Sequence, residues 1–589
     1  MHKLEFNTLN PEQLAAVSHT DGPAIVLAGA GSGKTRVLIY KVLYLITQKK
    51  VLANEIVMIT FTNKAAAEMK KRIEKAGYGK LGFVGTFHSF CASLLRRYAG
   101  RMGYGPDFVI FDDDDQGALL KAIIKEKDIE RMTASYLLHL ISAAKNQLIP
   151  PDKFTSFFPQ ERAEEVAKVY AIYQARLKKN NAFDFDDLIM KVVELLRRDD
   201  EVRTLIHEKY THILIDEFQD TNYAQYSLAR LLSEESQNIT VVGDFSQSIY
   251  SWRGADIRNL EKFQEDFPDA KVFELEQNYR STPPILDFAY TVISKNNGHP
   301  ILKLFTEKSG GEDIVIKPLQ NEEEEALFVV SEIERLHDKY DYKDFAVLYR
   351  INAQSRALEE ALLQYGLPYM LIGGIRFYER KEIKDILSYM RLIINPDNEI
   401  AQDRIMKLGK RKWAEFVEKS ASIRDGIEKK DSEGLMEEIF SATNYLALYN
   451  EKDPDEYSRL ENIKELKSVA NSYPNINDFL EQIALVESEY SEGEKKRKGE
   501  DGVRLMTLHQ AKGLEFPVVF MVGVEEGILP HSRSAYDHFQ LEEERRLMYV
   551  GVTRAKERLI ISHARRRFLF GRRMESAPSR FIAEENEEW

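Results

Sequence analysis

Short apolar runs recur along the chain and are separated by longer amphipathic stretches. The first half has four such runs, at residues 24–28 (AIVLA), 56–60 (IVMIT), 212–216 (HILID) and 239–243 (ITVVG). The second half has five, at 345–349 (FAVLY), 369–372 (YMLI), 503–507 (VRLMT), 518–522 (VVFMV) and 559–562 (LIIS). Short β-branched runs without alternation are typical of strands buried on both faces. The pattern therefore predicts an α/β fold with two doubly wound parallel sheets.

Two longer stretches lack these runs and show helical spacing instead. In the first, from about residue 89 to 180, apolar and aromatic side chains recur at Val166, Tyr170, Tyr173 and Leu177, as on one face of a helix. The second extends from about residue 380 to 500 and is rich in charge. We therefore expect each sheet domain to contain an inserted, mainly helical subdomain.

Length and composition narrow the class of protein. A chain of 589 residues is too long for one core, and its hydrophobic content of 43% can fill several. No apolar run is long enough to span a bilayer, no secretory signal is recognisable, and the one cysteine, Cys91, cannot form an intramolecular disulfide. These features predict a protein of the reducing cytosol. The net charge of −13 disfavours coating of nucleic acid by the whole surface, but leaves a local groove open.

The segment AGAGSGKTR, residues 28–36, follows the first apolar run. Its glycines would let backbone N–H groups surround phosphate oxygens, while Lys34 reaches the terminal phosphates and Thr35 offers a hydroxyl to Mg²⁺. Ala28 stands where the usual pattern has its first glycine, and a small residue is tolerable there. The alternative is a glycine-rich turn before an ordinary helix, which the strand-before and helix-after context disfavours. The predicted phosphate loop consists of Ala28, Gly29, Ala30, Gly31, Ser32, Gly33, Lys34, Thr35 and Arg36.

A pair of carboxylates follows the apolar run at 212–216. Asp216 could hold Mg²⁺ through water, and Glu217 could orient and deprotonate an attacking water molecule. Pairs of this kind are common on protein surfaces, so the alternative for this pair by itself is two surface carboxylates without a catalytic role. Its position after a buried strand, in a chain with a phosphate loop, favours hydrolysis of a nucleotide.

The segment VVGDFSQSIYSWRGAD, residues 241–256, places an amide, two rings and a guanidinium after another apolar run. Gln247 could sense the terminal phosphate, and Tyr250 and Trp252 could stack on bases, with Arg253 near a base or a backbone phosphate. The alternative for the segment alone is a buried aromatic cluster.

Twelve motifs, in order along nearly the whole chain, resemble those of the UvrD/PcrA/Rep-type superfamily 1A DNA helicases. Those of the first half are LNPEQLAAV (9), AGAGSGKT (28), ITFTNKAAAEM (59), GTFHSF (85), FDFDDLI (183), LIDEFQDTN (214) and VVGDFSQSIYSWRGAD (241). Those that follow are LEQNYRST (275), VLYRINAQSR (347), GGIRFYERKEIKD (373), TLHQAKGLEFPVVF (507) and EEERRLMYVGVTRA (542). Their joint order and spacing carry the resemblance, since no single motif would suffice.

The resemblance implies roles for individual residues. Gln13 and Tyr279 would contact the adenine, Arg280 and Arg554 would act as arginine fingers, and Glu515 would contact the nucleotide sugar. Lys34, Asp216, Glu217 and Gln247 would complete the catalytic set. The residues that resemble the family's single-strand DNA contacts are Phe61, Asn63, His88, Tyr250, Trp252, Arg253, Asn352 and His509.

The resemblance also implies domain boundaries. Two RecA-like sheet domains are expected at 1–88 with 178–277 and at 278–378 with 501–589. Their helical insertions are expected at 89–177 and, in reduced form, at 379–500.

The function implied is that of an ATP-dependent 3′-to-5′ DNA helicase and single-strand translocase in repair, replication or recombination. ATP and Mg²⁺ would be the cofactors, and single-stranded DNA and single/double-strand junctions the partners. One alternative is a translocase or protein-clearing motor with weak duplex unwinding. Another is an ATP-dependent single-strand binding switch that does not cycle.

Three departures from the family pattern affect these expectations. Phe245 and Ser246 precede Gln247 where relatives have GDxDQ, so altered coupling is expected. The second insertion has Gly409 among basic residues but no Gly-Ile-Gly turn, which puts duplex grip in doubt. The chain stops soon after PSRFIAEENEEW, so the partner-binding tail of many relatives is expected to be absent.

Overall fold

The computed structural model describes residues 6–78, 80–129, 132–427, 430–451, 453–496, 501–569 and 572–583. The chain divides into two compact units. The first comprises Met1–Arg280 and Asn297–Glu307, and the second comprises Ser281–Asn296 and Lys308–Trp589. Both ends of the chain, residues 1–5 and 584–589, lie outside the described residues, as do the outermost parts of the sheet domains predicted to begin and end there.

The first unit is built on a parallel sheet of six strands in the order β3-β2-β6-β7-β1-β8, and β4 and β5 form a separate parallel pair. The strands are β1 (Ala24–Ala28), β2 (Ile56–Thr60), β3 (Phe83–Thr86), β4 (Val109–Phe111), β5 (Ala182–Asp184), β6 (His212–Ile215), β7 (Ile239–Gly243) and β8 (Lys271–Leu275). Every residue of β1, β2 and β7 is buried, because helices cover both faces of the sheet.

The helices of the first unit are α1 (Pro11–Ser18), α2 (Lys34–Thr47), α3 (Asn63–Lys75), α4 (Phe87–Tyr98), α5 (Asp113–Glu126), α6 (Ala134–Asn146), α7 (Phe154–Phe157), α8 (Ala163–Lys179), α9 (Phe185–Arg198), α10 (Asp200–Lys209), α11 (Tyr223–Ser233) and α12 (Asn259–Asp266). Those after α1 lie between its strands, and four of them, α5 to α8, follow one another between β4 and β5. Helices α5 to α8 have an apolar core of their own, which includes Leu137, Val166 and Tyr173. Lys145 at the end of α6 is fully buried and pairs with Asp184 (2.5 Å) and Asp187 (3.0 Å), so a buried ion cluster joins these helices to α9.

The second unit is built on a parallel sheet in the order β11-β12-β10-β13-β14-β9, and β15 and β16 form an antiparallel pair. Its strands are β9 (Val315–Leu319), β10 (Phe345–Tyr349), β11 (Tyr369–Leu371), β12 (Val503–Thr507), β13 (Phe516–Met521), β14 (Ala555–Ala564), β15 (Arg566–Leu569) and β16 (Arg572–Glu575). Its helices are α13 (Pro283–Ile293), α14 (Glu322–Leu336), α15 (Ser355–Gln364), α16 (Lys381–Ile394), α17 (Glu399–Lys407), α18 (Lys410–Asp425), α19 (Ser432–Thr443), α20 (Pro454–Ser472), α21 (Ile476–Lys496), α22 (His538–Val552) and α23 (Arg580–Ala583).

Helices α16 to α21 share one continuous apolar core with the second sheet. Leu460 and Leu466 of α20 belong to the same buried cluster as Val347 of β10 and Leu505 of β12. Polar contacts reinforce this packing: Arg356 of α15 donates to Glu465 of α20 (2.7 Å).

The α/β class predicted from the sequence is confirmed, and each of the nine predicted runs contains a strand. Three strands of the large sheets, β3, β8 and β9, were not predicted. All three lie at sheet edges and expose part of their side chains, so their sequences are less apolar than those of buried strands. Among the described residues, the helices are too short or too polar for any of them to cross a membrane.

Candidate functional site

The predicted phosphate loop lies between the end of β1 and the start of α2. Gly31 (φ 67°) and Gly33 (φ 88°) take left-handed backbone conformations, which a residue with a Cβ adopts only under strain. Ser32 donates to the Gly29 carbonyl from both its N–H (3.2 Å) and its hydroxyl (2.8 Å). The resulting tight loop leads into the first turn of α2, where Lys34 begins the helix, an arrangement suited to binding phosphate.

Residues predicted to contact the base surround this loop. Gln13 is fully buried, and its Nε2 donates to the Ser32 carbonyl (2.9 Å). Asn278 donates to the Ala30 carbonyl (2.6 Å), and the N–H of Tyr279 donates to Gly31 (3.0 Å). Tyr279 remains 44% exposed, so this residue is accessible to a ligand.

Arg36, the last residue of the predicted loop, and Arg280 are two further members of the predicted nucleotide set. The guanidinium of Arg36 donates to the carbonyl (2.9 Å) and hydroxyl (2.8 Å) of Thr8. Arg280 follows Tyr279, and its Cβ approaches the position that a side chain at Gly31 would occupy, to within 2.8 Å. The segment 278–280 therefore packs directly on the phosphate loop.

The carboxylate pair follows β6. Asp216 is buried, and burial, followed by the charge of Glu217, raises the pKa of its carboxyl to about 7. Glu217 has a left-handed backbone (φ 52°) and accepts from Gln219 Nε2 (2.5 Å). Gln219 Oε1 accepts from the N–H of Asp244 (3.1 Å). The side chain of Gln219 therefore bridges the ends of β6 and β7.

Asp244 connects the carboxylate pair to the phosphate loop. Its Oδ2 accepts from Gln247 Nε2 (2.6 Å) and lies 3.9 Å from Lys34 Nζ. Lys34, Glu217 and Gln247 are therefore held in one network through Asp244 and Gln219. Gln219 and Asp244 were not predicted as site residues, although both lie inside motifs that resemble those of the family.

The donor set suits Mg²⁺. The ion prefers oxygen ligands and keeps several waters, so a carboxylate and a hydroxyl suffice on the protein side. Asp216 offers a buried carboxylate beside a second one, and Thr35 offers a hydroxyl in the first turn of α2. In the part of the chain that the structure describes, no group of three or more His, Cys, Asp and Glu side chains is arranged to hold a metal by itself.

In the second unit, Glu515 and Arg554 immediately precede the adjacent strands β13 and β14. Glu515 pairs with Lys556 (2.8 Å). The Arg554 guanidinium is almost fully buried and donates to the carbonyls of Val550 (2.9 Å) and Leu514 (3.1 Å). Both residues thus lie at the amino edge of the second sheet.

Four of the eight residues predicted to contact DNA line one cavity of about 450 Å³ in the first unit, namely Phe61, His88, Trp252 and Arg253. Tyr250 lies beside it: its ring stacks on Phe61 with the planes 10° apart and the centroids 5.9 Å apart. The Arg253 guanidinium lies over the Trp252 ring, 4.5 Å from its centroid. Burial lowers the pKa of His88, so at neutral pH this ring contributes hydrogen bonding and stacking rather than charge.

The other three predicted contacts lie elsewhere. Asn63 is exposed at the start of α3, two residues after Phe61, and is not among the residues that line the cavity. Asn352 and His509 follow β10 and β12, which are neighbours in the second sheet. Asn352 Nδ2 donates to the Ser458 hydroxyl of α20 (3.3 Å).

Several residues that line or adjoin the cavity were not predicted from the sequence. Asn146, Asn222 and Asp186 line it, and Asn222 donates to Asn146 (2.7 Å). Phe185 is 48% exposed and meets His88 edge to face. The motif FDFDDLI contains Phe185 and Asp186 and was the available signal. The spacing of this motif from the other motifs along the chain does not indicate that it lies at the ends of the strands of the first sheet.

Family models match almost the whole chain. The UvrD/REP helicase N-terminal domain matches residues 9–268, and the UvrD-like helicase C-terminal domain matches residues 273–433 and 410–566. The chain therefore belongs to the UvrD/REP helicase family, and the resemblance seen in its motifs is confirmed.

Within this family, the chain is similar to proteins named ATP-dependent DNA helicase PcrA. It is 44% identical to that of Bacillus subtilis (strain 168) over 630 residues, which cover 98% of this chain and 85% of the relative. It is 40% identical to that of Leuconostoc citreum, with 98% and 85% covered, and to that of Staphylococcus aureus (strain Mu50 / ATCC 700699), with 98% and 86% covered.

Proposed function

We propose that this protein is an ATP-dependent DNA helicase that moves 3′ to 5′ on single-stranded DNA and acts in repair, replication or recombination. The observation that carries the proposal is the network that joins Lys34, Glu217 and Gln247, together with the cavity lined by Trp252 and Arg253, which follow Gln247 in the same loop. One loop thus carries a candidate phosphate sensor and candidate base-stacking side chains. The similarity to ATP-dependent DNA helicases supports the same function.

In the proposed reaction, water attacks the terminal phosphorus of ATP, the bond from that phosphorus to the bridging oxygen breaks, and ADP leaves with inorganic phosphate as the other product. Glu217 orients this water and takes its proton, while Lys34 and the N–H groups of the phosphate loop stabilise charge on the phosphate oxygens. Mg²⁺ held by Thr35 and Asp216 would neutralise phosphate charge. Arg280 and Arg554 would act as arginine fingers, Gln13 and Tyr279 would hold the base, and Glu515 would contact the sugar.

On the DNA side, the cavity rings suit a sequence-tolerant single strand because every base offers a face for stacking. We propose Phe61, Asn63, His88, Tyr250, Trp252 and Arg253 as contacts of the first unit, and Asn352 and His509 as contacts of the second. We also propose the domain boundaries expected from the sequence, and DNA in the cytosol as the site of action.

The proposal is tested with two fluorescent duplexes that carry single-stranded tails of opposite polarity. We expect ATP-dependent strand separation from the 3′-tailed duplex and little from the 5′-tailed one, together with ATP hydrolysis that single-stranded DNA stimulates. Hydrolysis that DNA leaves unchanged would instead indicate the non-cycling switch.

The second insertion favours one further candidate, a translocase with weak unwinding. Only Leu408 and Gly409 separate α17 from α18. The Lys412 ammonium donates to the carbonyls of Thr443 (2.7 Å) and Asn444 (3.0 Å), so this basic residue is engaged within the insertion. Displacement of a streptavidin block from single-stranded DNA, without separation of the tailed duplex, would identify this activity.

A further inference from the structure

Residues 297–307 form a short segment that belongs to the first unit although the chain on either side of it belongs to the second. We call it the return segment. Phe305 exchanges backbone hydrogen bonds with the stretch before Arg280: its N–H donates to Glu276 (3.1 Å), and its carbonyl accepts from Asn278 (2.7 Å). Leu304 fills the space beside the phosphate loop, since a Cβ on Gly29 would lie 2.2 Å from its Cδ2. The return segment is thus packed against nucleotide-site elements.

His299 makes a third contact of the return segment. Its Nε2 shares a hydrogen bond of 3.1 Å with the hydroxyl of Ser246, which is 5% exposed. The N–H of Ser246 donates to Asp244 Oδ1 (3.1 Å). The other oxygen of Asp244 accepts from Gln247 and faces Lys34. Hydrogen bonds and one ion pair therefore connect His299 to the phosphate loop through Ser246 and Asp244.

The hydrogen bond between His299 and Ser246 reaches a short helical turn. Phe245, Ser246 and Gln247 form a single turn of 3₁₀ helix with Asp244 at its N-cap. A displacement of Ser246 would therefore shift the adjacent Gln247. The Ser246 side chain is small, so its hydroxyl is the group through which this side chain can form a hydrogen bond to the return segment.

We propose that His299 is a positioning residue for ATP hydrolysis. Through its hydrogen bond to Ser246 it fixes the turn that carries Gln247, without touching the nucleotide itself. The inference rests on the proposed ATPase function and predicts an effect on turnover with little effect on nucleotide binding.

The test compares His299→Phe, His299→Gln, Ser246→Ala and the double variant Ser246→Ala/His299→Phe. His299→Phe keeps a ring and removes the hydrogen bond, and His299→Gln restores a polar side chain.

We expect His299→Phe and Ser246→Ala each to lower kcat of DNA-stimulated ATP hydrolysis about fivefold, the rate effect of one ordinary hydrogen bond. KM for ATP and affinity for a fluorescent ATP analogue should stay within about twofold. The double variant should lose no more than either single variant because all three break the same bond. His299→Gln should recover most of the rate.

The matched control is His207→Phe in the same unit. The His207 ring also forms hydrogen bonds, to the Leu231 carbonyl (2.8 Å) and to Glu235 (3.2 Å), but on helix α10. It should match the wild type in kcat once both are corrected for the folded fraction by thermal melting. If His299→Phe misfolds, Ser246→Ala tests the same bond with a smaller change.

Two results would overturn the inference: wild-type kcat in both His299→Phe and Ser246→Ala, or losses that multiply in the double variant. A higher KM with unchanged kcat would also contradict it, because it would place His299 in nucleotide binding. Absence of ATP hydrolysis in the wild type is a different outcome, which would refute the proposed function itself.

Discussion

The two large sheets carry their candidate ligand residues in different ways. In the first sheet, nucleotide and DNA candidates share the carboxyl edge: Lys34 follows β1, Phe61 follows β2, Asp216 follows β6 and Gln247 follows β7. This is the edge at which parallel α/β sheets generally bind ligands. One loop can therefore serve both ligands there.

The second sheet separates the two sets. Glu515 and Arg554 precede β13 and β14, at the amino edge, whereas Asn352 and His509 follow β10 and β12, at the carboxyl edge. Any influence of one ligand on the other within this unit must cross the length of the sheet.

The largest effect should come from Arg554→Gln, which tests the amino edge of the second sheet. An arginine finger contributes about 10³ to 10⁵ in rate, so DNA-stimulated ATP hydrolysis should fall at least about 1,000-fold. Arg566→Gln is the control, since its guanidinium is exposed in the same unit. Melting temperatures must accompany the rates because Arg554 also holds two buried carbonyls. A loss below tenfold would mean that the amino edge of the second sheet does not act on the nucleotide. The contrast drawn between the two sheets would then be wrong.

Glu217→Gln tests the carboxyl edge of the first sheet. Loss of a general base costs about 10² to 10⁴ in rate, so turnover should drop by that factor. Binding of a fluorescent ATP analogue should persist, since the change is isosteric. Glu235→Gln on the surface should leave turnover intact. Normal hydrolysis by Glu217→Gln would exclude this side chain as the base.

Trp252→Ala tests whether the cavity binds DNA. Loss of one stacked base costs about 1–3 kcal/mol, so the Kd for a single-stranded oligonucleotide should rise roughly tenfold while basal hydrolysis stays the same. Tyr536→Ala, which removes a fully exposed ring in the second unit, should leave the Kd unchanged. Equal losses of basal and DNA-stimulated turnover would mean that the Trp252 ring only stabilises the fold.

The smallest effect should be a pH dependence of DNA binding. Burial, followed by the charge of Asp184, raises the pKa of Asp186 to about 7, so this cavity side chain is charged above that pH and neutral below it. Lys145 and Asp187 also lie near it, and burial lowers the pKa of His88 below its ordinary value. Because a carboxylate repels phosphates, affinity should increase a few-fold between pH 8 and 6.5.

Asp186→Asn should abolish this dependence and bind at pH 8 as tightly as the wild type does at pH 6.5. Titration of oligonucleotide binding by fluorescence anisotropy at constant ionic strength measures both proteins. An unchanged pH slope in Asp186→Asn would assign the effect to other groups.

Sequence patterns predicted the elements whose conformation depends on residues that are close together in the chain. The runs at β1, β2 and β7 are buried on both faces and therefore apolar throughout, and the glycines at 31 and 33 indicate a left-handed loop. The edge strands β3, β8 and β9 give weaker signals because solvent tolerates polar side chains on them.

The unpredicted parts of the site depend on distant segments meeting. Gln219 matters because β6 and β7 are neighbours, and His299 matters because the return segment packs beside Ser246. Asp186 enters the cavity because a buried Lys145 holds its helix against the preceding insertion. None of these pairings has a fixed spacing along the chain, so a single sequence does not reveal them.

The apolar core common to α20 and the second sheet has a consequence for engineering. Because Leu460 and Leu466 share that core with Val347 and Leu505, the stretch 379–500 is not an independent folding unit. Replacing it with the corresponding segment of a relative would require repacking of the sheet, and deleting it would expose apolar side chains of the sheet to water.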